Sequence, residues 1–561
     1  MRGLLRTLLG GLLLATPAAA AAPEPADLVF WGGPIHTAEE ATPTVEAVAV
    51  RAGRIVHAGP RAGAQALVGP ATQVVELRGA ALFPGFTDAH MHLDGVGQRA
   101  LSLDLSTERS LASLLATVAA RVARQPPGSL LTGGGWIETH WPEKRFPTRQ
   151  DLDTVAPDLP VLLTRADGHA LVANSAALRA AGIDADTVAP EGGEILRDAE
   201  GRPTGMLIDT AMSLVAGLRK EPTVDERRRA YAEGAALYAR LGWTGVHTMG
   251  TPLEDVPIQE ALLAEGALPL RVYNLVRRID GERLVAEGPR QSGDGRIVTR
   301  GVKLFADGAL GSRGAALLEP YADAPGRGLV LLDPAETAPF LAAALKSGIQ
   351  VATHAIGDRA NRLVLDAYEA AFAAVPAGQR ALAEPRWRVE HAQIVAPADR
   401  PRFATLGVIA SMQPSHAIGD LHFAPARLGP ESARLGDSYA WRSLLESGAV
   451  VAGGSDAPVE VGDPRIEFYA AVARRDLAGF SGPGWHPEQA LDRQAALRLF
   501  TLAPAYAAFQ ERDLGSIAVG KKADLTVFSA DLMTVPVEEI PKARALLTVV
   551  DGTIAYRAEG W

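Results

Sequence analysis

Short apolar runs that alternate with helix-like stretches fill the middle of this chain of 561 residues. Such alternation is typical of a parallel sheet covered by helices. Eight of these runs are LFPGFTDAH, WTGVHTM, LRVYNLV, RGVKLFADG, GIQVATHAIGD, WRVEHAQI, LGVIASMQP and GAVVAGGSDAP. Because eight strands close a (β/α)₈ barrel, the pattern predicts an α/β protein with this TIM-barrel fold.

The spacing of the runs agrees with a barrel except at one place. A barrel has about 30 residues in each strand–helix unit, and most successive runs keep roughly that period. The interval from His92 to His247 is about five units long instead. We therefore predict an insertion after the first barrel strand, residues 97–218, that covers the barrel's active-site face. An unrelated third domain is the alternative.

Both ends of the chain are rich in short strand-like segments. The N-terminal segments include DLVFWGGPIHT and VEAVAVRAGRIVHAGP, and the C-terminal segments include ADLTVFS and ALLTVVDGTIAYR. In the last of these, Asp551 and Gly552 form a strong hairpin signal. We predict one small β-sandwich domain made from residues 23–82 and 513–561, with the barrel over residues 83–512.

Residues 1–22 have the features of a secretory signal peptide. Arg2 and Arg6 precede a short apolar core, and alanines follow in Ala-x-Ala arrangements. We expect export by the Sec route to a periplasm or outside the cell, without stable membrane insertion after cleavage. A retained membrane anchor is the alternative.

Composition excludes several classes of function. The chain has no cysteine, which removes thiolate nucleophiles and cysteine metal ligands. Its formal charge of −10, without a long basic run, argues against a nucleic-acid partner. The expected partner is a small-molecule substrate, and a homodimer is left open.

Polar residues stand where several of the apolar runs end: His90, His92, Lys303, His354, His391 and Asp456. Barrel active sites form at this end of the strands. Residues two apart in a strand point to the same side, so His90 and His92 are expected to face one point. Any one of these residues has an ordinary structural explanation, such as Asp456 capping a turn. Together, imidazoles and a carboxylate at successive strand ends indicate a divalent metal site.

Several motifs resemble those of the amidohydrolase superfamily of metal-dependent hydrolases: FPGFTDAHMH, VATHAIGD, RVEHAQI and GSDAPV. TRADGHALVANSAAL and VKLFADGALGSRGAAL resemble the branch that contains N-substituted formamide deformylases, amidohydrolase family 3. The resemblance implies a binuclear centre, usually of two zinc ions, with manganese, iron or cobalt as alternatives. Carried over to this sequence, it implies one ion on His90, His92 and Asp456, a second on His354 and His391, and a bridging Lys303 carboxylated by CO₂. A purely structural Lys303 is the alternative.

This resemblance implies an enzyme that hydrolyses a carbon–nitrogen bond, in a non-peptide or small amide. Metal-bound hydroxide would attack the carbonyl, and Asp456 would shuttle the proton. One alternative is the same centre acting on an ester, lactone or cyclic amidine. A remote alternative is a non-catalytic metal-binding barrel.

Further residues are expected around the site. His169, Trp136 and Arg313 are candidates for substrate binding. A polar loop residue, a core aromatic and a solvated arginine are the respective alternatives. His247 and Asp307 are candidates for supporting the metal ligands, although Asp307 beside Gly308 also suits a turn.

Overall fold

A computed structural model of the chain describes residues 24–126, 128–138, 141–165, 170–190, 193–218 and 221–561. The expected signal peptide, residues 1–22, and the candidate residue His169 lie outside these ranges. Within them, no helix combines the length and the apolarity that crossing a bilayer requires.

Five strands and a short helix come first: β1 (Leu28–His36), β2 (Thr44–Arg51), β3 (Arg54–Gly59), α1 (Arg61–Gln65), β4 (Gln73–Glu76) and β5 (Ala81–Pro84). Their side chains alternate between two apolar clusters. Leu28 and Phe30 of β1 pack into one cluster, and Val29 and Trp31 pack into another. Since successive side chains of a strand point to opposite faces, this strand is covered on both sides.

The first barrel strand, β6 (Phe86–Met91), leads into helix α2 (Leu93–Leu101), and a separate sheet follows. That region contains β7 (Leu103–Asp104), α3 (Leu111–Val122), β8 (Leu131–Trp136), α4 (Arg149–Asp153), β9 (Val161–Arg165), β10 (Ala170–Ala173), α5 (Ser175–Ala180), β11 (Gly193–Arg197) and β12 (Pro203–Asp209). Its strands form one sheet in the order β11-β12-β10-β9-β8-β7. The expected insertion after the first barrel strand is confirmed, and its limits, residues 97–218, stay a prediction.

The remaining barrel strands are β13 (Trp243–Thr251), β14 (Arg271–Arg277), β16 (Ile297–Phe305), β17 (Gln350–Ala355), β18 (Arg388–His391), β19 (Ile409–Met412) and β20 (Val451–Gly453), with a short β15 (Arg290–Gln291) beside β16. They pair in the order β6-β13-β14-β16-β17-β18-β19-β20, all in parallel, while β15 pairs with β16 in the antiparallel sense. The eight parallel strands confirm the predicted (β/α)₈ fold.

Helices connect the barrel strands: α6 (Val224–Leu241), α7 (Val256–Ala264), α8 (Gly281–Glu287), α9 (Pro334–Ser347), α10 (Asp358–Ala374), α11 (Arg400–Leu406), α12 (Pro414–Asp420), α13 (Ala424–Leu428), α14 (Ala433–Gly436) and α15 (Trp441–Glu446). Three more of the described helices, α16 (Pro464–Ala473), α17 (Arg493–Leu499) and α18 (Leu502–Ala507), follow the last barrel strand. Short 3₁₀ helices span Thr210–Leu218, Leu253–Asp255, Arg278–Asp280, Ala377–Gln379, Pro487–Gln489 and Val537–Lys542.

Helix α6 shows how the sequence sets the limits of an element. Thr223 and Glu226 form a reciprocal capping box at its start, and Gly242 ends it with a φ of 109°. The helix packs tightly against α2. At Gly97 of α2 there is no room for a side chain, since an added Cβ would lie 1.7 Å from the carbonyl oxygen of Ala230. This contact fixes the helix that begins directly after His92.

Strands β6 and β20 are the two ends of the barrel order, and hydrogen bonds outside the regular ladder join them. The carboxylate of Asp88 accepts hydrogen bonds from the backbone N–H groups of His90 (3.1 Å) and Ser455 (2.9 Å). The N–H of Asp456 donates to the carbonyl of His90 at 2.7 Å, and that of His92 donates to Ala457 at 2.8 Å. The junction therefore holds His90, His92 and Asp456 close together.

The last three strands, β21 (Leu525–Phe528), β22 (Ala545–Val550) and β23 (Thr553–Arg557), return to the N-terminal strands. The sheet order is β23-β22-β21-β5-β1-β2-β3, with β4 paired to β1. Asp551 and Gly552 both have positive φ, 53° and 74°, as a type I′ hairpin turn requires. A small domain built from both chain ends is therefore confirmed, while its limits, residues 23–82 and 513–561, stay a prediction.

Candidate metal centre

The six side chains that the sequence analysis selected meet at the carboxyl ends of the barrel strands. They are His90 on β6, His92 directly after it, Lys303 on β16, His354 on β17, His391 at the end of β18 and Asp456 after β20. The ring centroid of His391 lies 4.4 Å from that of His354 and 4.8 Å from that of His90. Residues far apart in the sequence thus form one compact cluster.

The donor atoms have the separations that a shared cation requires. Asp456 Oδ1 lies 3.3 Å from His90 Nε2 and 3.2 Å from His92 Nε2, and Lys303 Nζ lies 3.3 Å from His90 Nε2. Ligand atoms of His90, His391 and Asp456 all lie within 4.8 Å of one another. Two ligands bound to one zinc ion at about 2.1 Å each are about 3.4 Å apart in a tetrahedral site. The residues present therefore fit a metal ion.

Three of the histidines are oriented in the way that metal-binding histidines usually are, with one ring nitrogen held by the protein. The Nδ1 contacts are His90 to Glu390 Oε2 (2.5 Å), His92 to the carbonyl of Met249 (3.0 Å) and His391 to Gln413 Oε1 (2.8 Å). Since an acceptor faces Nδ1 in each case, the proton resides there and the lone pair of Nε2 is free to bind a cation.

Burial sets the charges of this cluster. Burial and the nearby Lys303 lower the pKa of His354 to about 3, and burial with the neighbouring His354 and His90 holds the pKa of His391 well below its usual range. Burial opposes the ionisation of Asp456, but the surrounding histidines still hold its pKa well below the usual range. At neutral pH His354 and His391 are therefore neutral and Asp456 is a carboxylate, which suits a divalent cation.

Two of the candidate ligands have unusual backbone conformations. His391 has a φ of 73° and Asp456 a φ of 59°, in the left-handed region that favours glycine. Neither residue is a glycine, so each conformation costs about 1 kcal/mol or more and must be held by its surroundings. Strain of this kind concentrates at functional sites, and here it directs two side chains into the cluster.

An ion pair that the sequence analysis missed lies beneath the cluster. Arg388 and Glu390 of β18 have fully buried side chains, and Arg388 Nε lies 2.7 Å from Glu390 Oε1. The same guanidinium donates to His247 Nδ1 at 3.0 Å and to Ser411 Oγ at 2.7 Å. His247, a candidate for supporting the ligands, contacts Arg388, which pairs with the Glu390 that binds His90. The sequence does contain a signal for this pair. Arg388 and Glu390 are two residues apart in the apolar run RVEH, so their side chains must point to the same side of the strand.

Asp307 holds the loops on either side of His354. Its carboxylate accepts backbone hydrogen bonds from Ala316, Ile356 and Gly357 at 2.8 to 3.0 Å. Its Oδ1 also lies 3.4 Å from His354 Nε2. Burial raises the pKa of Asp307 to about 7, against the lowering effect of these N–H donors.

Two of the residues expected to bind substrate make contacts within the protein. Trp136 is fully buried in the apolar core of the insertion, where its Nε1 donates to the carbonyl of Leu163 at 3.0 Å, so it presents no surface to a pocket. Arg313 makes a bidentate ion pair with Asp323, at 3.1 and 2.9 Å, and its part in substrate binding stays a prediction. His169 lies outside the described residues.

Comparison with known proteins identifies the family. The family model described as "Amidohydrolase family" matches residues 73–556. This chain belongs to that family.

Relatives along nearly the whole chain agree with this assignment. The putative amidohydrolase YtcJ of Bacillus subtilis is 35% identical over 538 residues, covering 94% of this chain and 99% of its own. The N-substituted formamide deformylase of Arthrobacter pascens is 30% identical over 549 residues, covering 95% and 99%. The crystal structure of an uncharacterized metal-dependent hydrolase from Pyrococcus furiosus superposes with a TM-score of 0.73 at 27% identity, covering 90% of this chain and all of that one.

This amidohydrolase is thus a metal-dependent hydrolase that acts on carbon–nitrogen bonds, as the sequence motifs predicted.

Proposed function

We propose that this amidohydrolase is exported and hydrolyses a small, non-peptide amide at a binuclear zinc centre. The observation that carries the proposal is the meeting of four histidines, a lysine and an aspartate at the barrel mouth, with separations of a few ångströms. The printed name of the formamide deformylase supports an amide as the substrate. Export rests on the composition of residues 1–22.

In this proposal, His90, His92 and Asp456 would hold one ion, and His354 and His391 would hold the other. Lys303, as its carbamate, would supply oxygen ligands to the centre. Burial lowers the pKa of Lys303 to about 8, so about one amine in ten is neutral at pH 7. That neutral amine can take up CO₂ with loss of a proton, which replaces an ammonium without a lone pair by anionic oxygen donors.

Bound zinc would polarise the substrate carbonyl and make hydroxide available near neutral pH. Asp456 supplies the proton transfer. One of its oxygens faces His90 and His92, and the other faces His416 across a gap of 3.7 Å. A carboxylate between two sides of the site can accept the proton of the attacking water and return it to the leaving nitrogen.

The barrel mouth also offers apolar surface for the substrate. Phe305 is two residues after Lys303 on β16, so the two side chains point to the same side. Its ring is 5.5 Å from that of His354, and 52% of the residue is exposed. An exposed aromatic ring beside the metal ligands favours a substrate with an apolar substituent near its carbonyl.

The test combines metal analysis with matched substrates. We expect purified protein to contain two equivalents of zinc, and to hydrolyse amides faster than esters or lactones that carry the same acyl group. Material grown with ¹³C-bicarbonate should give a carbamate ¹³C resonance that disappears in Lys303→Ala. Protein that binds no metal, or that hydrolyses esters and cyclic amidines but no amide, would refute the proposal.

A further inference from the structure

A buried imidazole beside the metal centre has a nitrogen without a partner. His416, on α12, is 7% exposed, and its Nε2 forms no hydrogen bond with any residue that the structure describes. That atom lies 3.7 Å from Asp456 Oδ2 and 3.9 Å from Glu460 Oε1. Both distances are too long for direct hydrogen bonds but suit a small polar group placed between the three atoms.

The walls of this gap are held in position by other contacts. The ring of His416 stacks on that of His391, with centroids 5.8 Å apart and planes 23° from parallel. The loop that carries Glu460 is held by Arg99, whose guanidinium donates to the carbonyls of Pro458 (2.9 Å), Glu460 (2.7 Å) and Val461 (2.8 Å). The gap is therefore formed before any ligand arrives.

The chemistry of the three atoms favours a ligand that carries several N–H groups. Two of them are carboxylate oxygens, which accept hydrogen bonds, and a neutral imidazole accepts at Nε2 when its proton is on Nδ1. All three atoms can therefore act as acceptors, and the N–H groups of an amine can donate to them.

We propose that His416 Nε2, Glu460 Oε1 and Asp456 Oδ2 form the subsite that binds the leaving nitrogen of the substrate and then the amine product. This inference rests on the proposed amide hydrolysis. When the C–N bond breaks, its electron pair stays on the nitrogen, which takes the proton carried by Asp456, while the acyl carbon keeps the hydroxyl from water. The amine then has at least two N–H groups, one for Glu460 and one for His416.

Variants can separate this role from metal binding and from packing. His416→Phe keeps a ring that can stack on His391 but removes its nitrogens. Glu460→Gln removes the carboxylate charge on the Glu460 side of the gap. His416→Gln restores a polar group near the position of Nε2. His422→Phe is the matched control, because His422 is exposed and its ring contacts Phe480, with centroids 4.6 Å apart.

The kinetic measurement compares an N-propyl amide with the propyl ester of the same acid, on zinc-loaded protein. An ester oxygen has no N–H to donate, so loss of the subsite should reduce kcat/KM for the amide about tenfold more than for the ester. We expect this change in His416→Phe and Glu460→Gln, partial recovery in His416→Gln, and none in His422→Phe. An unchanged amide-to-ester ratio in the first two variants overturns the inference.

A binding measurement gives a second readout without turnover. Titration of zinc-loaded protein with propylammonium chloride in a calorimeter should show binding that His416→Phe and Glu460→Gln weaken about tenfold and His422→Phe leaves unchanged. Equal affinity in all variants means that water fills the gap and overturns the inference. A lower zinc content in His416→Phe also overturns it, because His416 would then be a metal ligand.

The two proposals fail in different ways. A wild-type protein that binds zinc but hydrolyses no amide refutes the proposed function. Amide hydrolysis that is as fast in His416→Phe as in the wild type refutes only the subsite.

Discussion

Replacing Glu390 with glutamine removes one charge from an ion pair that has no exposed surface. Arg388 and Glu390 are both 0% exposed, and Glu390 also accepts the Nδ1 hydrogen bond of His90 at 2.5 Å. Burial alone would raise the pKa of Glu390, but Arg388, His90 and Lys303 lower it from 4.5 to about 2. A shift of this size corresponds to about 3 kcal/mol of unfolding free energy at neutral pH.

Breaking a buried pair by removal of one partner typically costs about 3–5 kcal/mol, which agrees with this figure. The pKa of Glu390 is lower in the folded state, so its contribution is complete above pH 4.5 and is lost as the pH falls toward 2. We therefore expect Glu390→Gln to lower the free energy of unfolding by about 3 kcal/mol at pH 7. The variant should also lose the part of the fall in stability between pH 4.5 and pH 2 that protonation of Glu390 causes. Zinc affinity should also fall about 10–100-fold, because His90 loses the carboxylate that orients it.

Urea denaturation of metal-free protein, followed by circular dichroism at pH 7 and pH 3, measures the first effect, and competition with a zinc chelator measures the second. Glu282→Gln is the matched control. Its partner Arg278 lies 2.6 Å away, but the two side chains are 66% and 38% exposed, so a change of about 0.5 kcal/mol or less is expected. Stability within about 1 kcal/mol of the wild type, together with unchanged zinc affinity, would show that the pair does not act as described.

Three further outcomes follow from the structure. His354→Ala should lose amide hydrolysis while its circular dichroism spectrum stays that of the wild type, because the side chain lies at the barrel mouth; near-wild-type turnover would contradict its role. Chelation of zinc should abolish activity and lower the melting temperature, with recovery on adding zinc; at a zinc concentration 100 times Kd the stabilisation is about 2.7 kcal/mol. Gly97→Ala should lower the unfolding free energy by about 1–3 kcal/mol, since its Cβ would meet the Ala230 carbonyl oxygen, whereas Gly436→Ala, with no atom within 4 Å of its added Cβ, should be neutral.

The barrel and the cluster of polar side chains at its mouth could be predicted from the sequence because both have a direct physical signal. Parallel strands covered on both faces are continuous apolar runs, and the residues that end those runs lie at the mouth. The alternation of side chains along a strand is enough to give His90 and His92 a shared direction. The closure of both chain ends into one sheet was likewise visible as strand-rich termini with a turn at Asp551 and Gly552.

Other residues could not be predicted because their roles depend on packing. The spacing of Arg388 and Glu390 in a barrel strand indicates that both face the same side, but their pairing with each other and with His90 depends on packing. Trp136 follows a run of glycines, and Gly133 of that run lies within β8, where an added Cβ would lie 2.8 Å from the carbonyl oxygen of Leu103. The glycines of β8 let the neighbouring strand approach closely. The tryptophan that follows them is therefore part of the packed sheet and is buried in the core of the insertion.

The pairing of β5 with β21 also governs the order in which the molecule can be completed. A ribosome delivers residues 28–84 first, but the strands that cover the edge of β5 are translated more than four hundred residues later. Until then that edge stays open to any other strand that meets it. The small domain can close only after nearly all of the polypeptide has been made, so nascent chains that stop before residue 525 should be captured by chaperones or aggregate.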